Sequence, residues 1–316
     1  MKVSVVIPVY NENEIIPQLV NSLFSVLSGV SYQWEVVFVD DGSQDGSLER
    51  LKESVSGEPG HFTIIGLKRN FGQTTAIAAG IDHASGDIIV LMDADLQNDP
   101  ADIPGMVAEI QQGYDVISGW RHDRKDPFLT RILPSWIANK LISWVTGVHL
   151  HDYGCTLKAY RKEVLTGFRL YGEMHRFIPA YASSVGARIT EVKVSHHPRR
   201  SGKTKYGIER TFKVILDLFT VKFLLAYSQK PLYLFGGLGM ILLTGGLGIL
   251  VFLFIRRMGA GISPFDSPLF PSSILIVLMG FQSLLMGLIA ELLVRTYHEA
   301  QNKPTYTIRE IVQSRE

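Results

Sequence analysis

Cysteine is nearly absent: Cys155 stands alone in 316 residues. A single thiol excludes an intrachain disulfide framework and fits a reducing compartment. An excess of one charge is lacking too, since the net charge is +1. Global electrostatics therefore imply no nucleic-acid partner. Two phosphate-binding signatures are missing. No G-x-G-x-x-G follows the first apolar run, and no G-x-x-x-x-G-K-[ST] occurs anywhere, which argues against a dinucleotide oxidoreductase or a P-loop NTPase. The opening run MKVSVVIPVY is too short for a signal peptide and runs directly into polar residues, so no cleaved leader is expected. What the chain has in excess is apolar character, 46% of residues, concentrated towards the C-terminus.

The N-terminal part alternates strand-like and helix-like segments. Val3–Val9, Trp34–Val39, Phe62–Leu67, Ile88–Met92 and Asp115–Ser118 read as strands, with Ile189–Val194 as a late one. Helical spacing follows the first strand from Ile15 to Leu27, the second from Asp45 to Val55 and the third from Thr74 to Ala84. Strands alternating with helices imply right-handed βαβ units and a mostly parallel, Rossmann-like sheet. Acidic or glycine-bearing punctuation falls just after each strand, which puts it at one edge of that sheet. The run Ile88–Pro100 is the sharpest case: a buried strand ends in Asp93 and Asp95, then Gln97 and Asp99. Carboxylates at the carboxyl end of such a strand sit where open α/β sheets bind ligands. Oxygen donors in this pattern suit Mg2+ or Mn2+ held jointly with a substrate diphosphate. The plain alternative is a turn, which Asp, Asn and Pro favour.

Beyond Trp120 the character changes. Arg121–Lys140 is basic, and from Phe128 apolar residues recur at helical spacing through Trp136 to Ile142. With Trp136 and Trp144 this reads as an interfacial amphipathic helix. The stretch His196–Lys230 carries eight Lys/Arg against two Asp/Glu and precedes a long apolar run. His196 and His197 read as loop surface rather than metal ligands. Leu232–Ile255 holds 24 residues without a charge and Leu269–Ala290 another 22. Each is long enough for a ~30 Å hydrocarbon core, which takes roughly 20 residues. Six Lys/Arg lie between Lys203 and Lys230 and four between Arg295 and Arg315, against two in the connection between the spans. The bias puts both termini and the α/β domain on the cytoplasmic side of a cell membrane. The expected organisation is residues 1–200 as the α/β domain, 201–230 as a basic loop and juxtamembrane helix, 231–295 as the hairpin with spans near 232–255 and 269–292, and 296–316 as a polar tail lying back on the cytoplasmic surface.

Pro8-Val9-Tyr10-Asn11-Glu12, Asp40-Asp41-Gly42-Ser43 and Asp93-Ala94-Asp95-Leu96-Gln97, in this order and spacing, resemble family 2 glycosyltransferases of the GT-A fold. The run from Asp152 to Arg161, the Gly202–Tyr206 loop and the two apolar spans narrow the resemblance to polyprenyl-phosphate glycosyltransferases. That group holds dolichyl-phosphate mannosyltransferase, GtrB-type glucosyltransferases and the undecaprenyl-phosphate aminoarabinose transferase. The resemblance covers essentially the whole chain. It implies a membrane-bound, inverting transfer of sugar from a nucleotide-diphosphate donor of the UDP-glucose or GDP-mannose type to polyprenyl phosphate. By the same resemblance Pro8, Tyr10, Glu12, Asp40 and Asp41 hold the nucleotide, and Asp93, Asp95 and Gln97 the metal and donor diphosphate. Arg121, Arg124, Arg131 and Ser135 face the acceptor phosphate, and Arg200 and Lys205 close over the phosphates. Asp93, Asp95 and Arg121 are the expected catalytic group. Where GtrB-like sequences place an acidic residue, this chain has Cys155, and Asp152 is the nearest carboxylate. Arg176 is a weaker candidate.

The expected partners are a nucleotide sugar, polyprenyl phosphate and membrane lipids, with self-association through the hairpins open. A processive polysaccharide synthase would need more spans and usually a Q-x-x-R-W motif, which the chain lacks. A catalytically silent nucleotide-sugar-binding scaffold is the other alternative, against which the intact acidic and basic motifs argue. Nothing in the sequence selects the sugar or the polyprenol length.

Overall fold

A computed structural model describes residues 1–57, 61–122, 133–166, 170, 174–198, 231–300 and 306–314. The chain divides into two compact units, Met1–Lys222 with Pro304–Glu316, and Phe223–Lys303.

The first unit is built on one eight-stranded mixed sheet. In chain order its strands are β1 (Lys2–Val9), β2 (Gln33–Asp40), β3 (His61–Leu67), β4 (Ile88–Leu91), β5 (Val116–Trp120), β6 (Lys158–Arg161), β7 (Ile189–Lys193) and β8 (Ile308–Gln313). They lie side by side as β7-β5-β6-β4-β1-β2-β3-β8. The centre, β3-β2-β1-β4, is parallel, as the βαβ pattern demands. Its strands are apolar on both faces because helices cover both. Val3, Val5, Ile7 and Val9 of β1 join a core with α1 (Ile16–Leu27), α2 (Ser47–Val55) and α4 (Ile103–Gln111). Side chains alternate along a strand, so Val6 faces the opposite layer, where α3 (Gln73–His83) lies. That helix approaches closely: a Cβ at Gly80 would stand 2.2 Å from Val6 Cγ1.

Two strands depart from the parallel scheme. The segment β6 runs antiparallel to both β4 and β5, so it separates two strands that alternation alone would make neighbours. It is followed by a helical turn, α6 (Lys162–Leu165), while α5 (Leu133–Thr146) and α7 (Ile178–Ser184) precede β6 and β7 respectively. The tail, expected as a polar surface segment, forms the antiparallel edge strand β8 on β3. Lys52 Nζ bonds Glu310 at 2.7 Å, and Tyr306 donates to Asp82 at 2.9 Å. A paired β8 covers the edge that β3 would otherwise expose. On α5, Ile142 is buried while Trp136 and Trp144 are 59% and 80% exposed, so Trp136 does not share the buried side of Ile142 although the spacing placed both on one apolar stripe.

The topology decides which loops meet. Two successive antiparallel pairings make β5 parallel to β4, so the ends of β1, β2, β4, β5 and β7 and the beginning of β6 share one edge of the sheet.

The second unit is a helical hairpin of α8 (Pro231–Ala260) and α9 (Leu269–Ala300). Both helices are long and apolar enough to cross a membrane, over Phe235–Gly259 and Leu269–Ala290. Small residues let the backbones meet: a Cβ on Gly239 would lie 2.8 Å from the Gly280 carbonyl oxygen. Ser283 Oγ donates to the Phe235 carbonyl at 2.8 Å between the helices.

Candidate active site

The loops after β1 and β2 are stitched into one surface. Asn11 takes a left-handed conformation, φ +52°, which asparagine tolerates better than most residues. Its amide donates to Ser43 Oγ, and its side-chain oxygen accepts from the Gln44 amide, both at 2.9 Å. The Glu12 amide donates to Ser47 Oγ at 2.9 Å. Pro8, Tyr10 and Glu12 are thus presented beside Asp40.

Asp40 and Asp41 have different tasks. Both are buried, at 1% and 3% exposure. Asp41 accepts the amides of Phe71 at 2.7 Å and Gly72 at 2.9 Å, fixing the loop between β3 and α3. Burial nevertheless raises its pKa to about 6. Asp40 accepts the Ser43 amide through Oδ2 at 3.1 Å. Its Oδ1 is buried without a hydrogen-bond partner among the described residues. Burial also raises the pKa of Asp40. A buried acceptor left unfilled is costly, and Asp40 Oδ1 can accept one further hydrogen bond.

The carboxylates expected after β4 lie at its end, half-buried. Asp93 Oδ1 accepts from Gln73 Nε2, at the start of α3, at 2.7 Å. Asp95 Oδ1 accepts the Gln97 amide at 3.2 Å. Between them Leu96 is left-handed, φ +57°, at a cost of roughly 1–2 kcal/mol. Among the described residues no three His, Cys, Asp or Glu side chains converge as a closed metal cage. Two carboxylates and the side-chain carbonyl of Gln97, all hard oxygen donors, fit an open cation site that substrate phosphates would complete.

Arg121 follows β5 at the same edge. Its Nε and Nη2 donate to the two oxygens of Asp152 at 2.7 and 2.9 Å, a bidentate pair. The side chains are 15% and 3% exposed. Burial works against the guanidinium charge, but the hydrogen bonds and charge of Asp152 outweigh it and raise the pKa of Arg121. The loop carrying Asp152 is anchored from below by Lys158. This buried lysine donates to the carbonyls of Tyr153, at 3.2 Å, and of Cys155, and burial lowers its pKa. Cys155 is buried and its thiol is pushed up to about 11, chiefly by burial. It is neither an acid nor a nucleophile at neutral pH. His175, beside Arg176, bonds Thr74 Oγ1 at 2.7 Å.

The structure thus gathers Pro8, Tyr10, Glu12, Asp40, Asp41, Asp93, Asp95, Gln97 and Arg121 on the strand ends and loops of one sheet edge. Arg124, Arg131, Arg200 and Lys205 lie outside the described residues, as does the Ser135 side chain on α5. Sequence reasoning missed Gln73 and Lys158, and it left open the role of Asp152. His196 and His197 lie in a loop with His197 exposed, as the sequence suggests, and His197 bonds Asp99 at 3.0 Å. No fixed spacing marks these residues, since each meets its partner only through the fold. A cavity of about 550 Å3 lies beside β7, lined by Trp120, His151, Thr190 and Glu191 among others. It contains none of the acidic strand-end residues. Trp120 stacks on His151 there, with ring centroids 4.3 Å apart.

A parallel-centred sheet with acidic strand ends and an arginine at the same edge fits a nucleotide-sugar glycosyltransferase of the GT-A fold. The chain belongs to glycosyl transferase family 2, whose model matches residues 4–168. It is 42% identical over 314 residues to the dodecaprenyl-phosphate galacturonate synthase of Rhizobium johnstonii, covering 98% of this chain and 93% of that protein. It is 37% identical over 312 residues to the undecaprenyl-phosphate 4-deoxy-4-formamido-L-arabinose transferase of Salmonella choleraesuis, covering 98% and 94%. Among solved structures, it is similar to the glucosyl-3-phosphoglycerate synthase of Mycobacterium tuberculosis in complex with Mn2+, UDP-glucose and phosphoglyceric acid. That match has a TM-score of 0.53 at 18% identity, covering 70% of this chain and 79% of the other. TarS residues 1–349 of S. aureus in complex with UDP-GlcNAc gives a TM-score of 0.52 at 20% identity, covering 71% and 67%. These structural likenesses establish the fold.

Proposed function

We propose that this glycosyltransferase moves a sugar from a nucleoside diphosphate to polyprenyl phosphate, with inversion at the anomeric carbon. The observation that carries the reading is Arg121: a half-buried, always-charged guanidinium, held by both oxygens of Asp152 at the sheet edge that also carries Asp93. It joins an acidic, cation-fitting strand end to an anion-binding group. The two relatives named for polyprenyl-phosphate products support the acceptor, and their alignment over 98% of this chain includes the hairpin. They also extend the donor candidates from UDP-glucose and GDP-mannose to uronic acid and amino-pentose sugars.

In the proposed site Pro8, Tyr10, Glu12 and Asp40 hold the base and ribose, and Asp40 Oδ1 accepts a ligand hydroxyl or amine. Asp41 acts through the loop it fixes. Asp93, Asp95 and Gln97 bind Mg2+ or Mn2+ with the donor diphosphate; bound there, the cation supplies charge neutralisation for the leaving group. Arg121, with Arg124, Arg131 and Ser135, orients the acceptor phosphate, and Arg200 and Lys205 add positive charge over the diphosphate. A phosphate-monoester oxygen attacks the anomeric carbon as the bond to the nucleoside diphosphate breaks. The second pKa of such a monoester is near 6, so no proton need be removed. That removes the demand for a general base, a role that the Asp152–Arg121 pairing also disfavours.

The chain's topology supports a membrane placement. Residues 1–198 and β8 belong to one compact unit, so a two-span excursion begins and ends on the same side. With the basic flanks, this favours a multi-pass cytoplasmic-membrane protein whose catalytic domain and both termini are cytoplasmic.

The test uses full-length enzyme in vesicles with polyprenyl phosphate and labelled UDP-galacturonate, UDP-glucose, GDP-mannose and amino-pentose donors. The proposal expects a labelled lipid from at least one donor, with inverted configuration. A product of retained configuration, or transfer only to water or a soluble alcohol, would contradict it.

A further inference from the structure

After β7 the chain turns back over the segment that follows β4. Val194 still donates to the Trp120 carbonyl at 3.0 Å. The Ser195 amide then donates to Asp102 Oδ2 at 2.7 Å, and His196 forms an antiparallel bridge with Asn98. The His197 amide donates to the Gln97 carbonyl at 2.9 Å. The His197 imidazole meets Asp99 Oδ2 through Nε2 at 3.0 Å, while Asp99 Oδ1 takes the Ala101 amide at 2.9 Å. Residues 195–197 are therefore clamped along 97–102 by backbone and side chain together.

What the clamp holds is strained. Leu96, the residue just before its first contact, is left-handed at φ +57°. A side chain with a Cβ persists there only where neighbours over-determine the backbone. The turn at Leu96 sets the direction of Gln97 relative to Asp95. Asn98, inside the clamp, is itself 5% exposed, so the segment has packing beneath it and residues 195–197 alongside it.

We propose that His197 is a positioning residue for Asp95 and Gln97: its bond to Asp99 locks the 195–197 segment onto the left-handed turn and so sets the geometry that receives the donor diphosphate. The inference deepens the proposed function and rests on its reading of Asp93–Gln97. His197 touches neither substrate nor cation; it acts through Asp99 and the Gln97 carbonyl.

The test is calorimetric binding of UDP or GDP, whichever the wild-type enzyme binds, to full-length protein with Mn2+ present. Mn2+ uptake is followed separately by electron paramagnetic resonance. His197→Ala should weaken nucleotide binding about 5- to 30-fold, the effect of one hydrogen bond. It should raise the donor KM similarly and leave kcat at saturation within about threefold. His197→Gln, which can still donate to Asp99, should restore binding to within about threefold of wild type. Asp99→Ala should match His197→Ala, and the double variant should be no weaker than either, as for two residues acting as one unit. Wild-type affinity in His197→Ala, additive losses in the double variant, or equal losses in His197→Gln and His197→Ala would overturn the proposal. If His197→Ala fails to fold, His197→Gln and Asp99→Asn carry the same comparison. Asp95→Asn separates the two levels. Unchanged binding in that variant sinks the cation-site reading, whereas weakened binding there with normal binding in His197→Ala sinks only the latch.

Discussion

Replacing Asp152 by asparagine distinguishes a carboxylate that positions from one that removes a proton. Asp152 is 3% exposed and receives two guanidinium hydrogen bonds, at 2.7 and 2.9 Å. Asparagine keeps one acceptor, loses the charge and turns an amide towards the second donor. One charge-assisted hydrogen bond is worth about 1.5–3 kcal/mol, which at about 1.4 kcal/mol per decade is roughly 10- to 150-fold. Asp152→Asn should therefore lower kcat/KM for the lipid acceptor by that factor, while the pH dependence keeps its shape. The decisive assay is a double-mutant cycle. If Asp152 works through Arg121, Asp152→Ala adds less than about threefold once Arg121→Ala is present. A general base contributes roughly 10^2–10^4-fold on its own. A further 100-fold loss in the double variant, or disappearance of the acidic limb of the rate profile in Asp152→Asn, would refute the positioning role.

Two other predictions concern the scaffold. Gly80→Ala forces a Cβ to within 2.2 Å of Val6 Cγ1; overpacking of this kind costs about 1–3 kcal/mol, and thermal unfolding should show a lower midpoint without a change in donor KM. At the opposite end of the sheet, burial raises the pKa of Glu35, but hydrogen bonds from Lys2, Ser4 and Ser85 overcome it and hold the carboxyl at about 2, below its ordinary 4.5. A depressed carboxylate stabilises the fold above its ordinary pKa, and that contribution disappears as pH falls from 4.5 towards 2. Unfolding midpoints should decline through this window in wild type and less steeply in Glu35→Gln.

Much of the fold was legible because local pattern and tertiary role agree. Buried β-branched runs became the parallel centre, the apolar stripe from Ile16 to Leu27 became α1, and uncharged runs became the hairpin. Asp93, Asp95 and Asp40 were legible because the carboxyl end of a buried strand is a fixed place in an α/β sheet. What escaped was non-local. The strand β6 is Lys158-Ala159-Tyr160-Arg161, too short and too charged to read as buried, yet Lys158 is 2% exposed. Its charge is met by carbonyls three and five residues earlier in the chain, a pairing no spacing rule marks. The strand β8, Ile-Arg-Glu-Ile-Val-Gln, reads as polar tail because its partner β3 lies more than two hundred residues away in sequence. Asp41 looked like a second nucleotide carboxylate, and only the coordinates place the amides of Phe71 and Gly72 on its two oxygens. The histidine pair is surface loop, as its sequence suggests, but the bond of His197 to Asp99, nearly a hundred residues earlier, is a contact only the fold makes.

The central claim is that the end of β4 seats a cation on which sugar transfer depends. It is tested most directly by titrating Mg2+ and Mn2+ into chelator-stripped enzyme and measuring labelled-sugar transfer to polyprenyl phosphate, for wild type and Asp95→Asn. Transfer should be absent without metal, recover saturably in wild type, and fall at least 100-fold in Asp95→Asn, a loss that excess metal does not repair, about 2.7 kcal/mol or more of transition-state stabilisation. Transfer that survives chelation, or an Asp95→Asn enzyme with the wild-type metal titration, would contradict it.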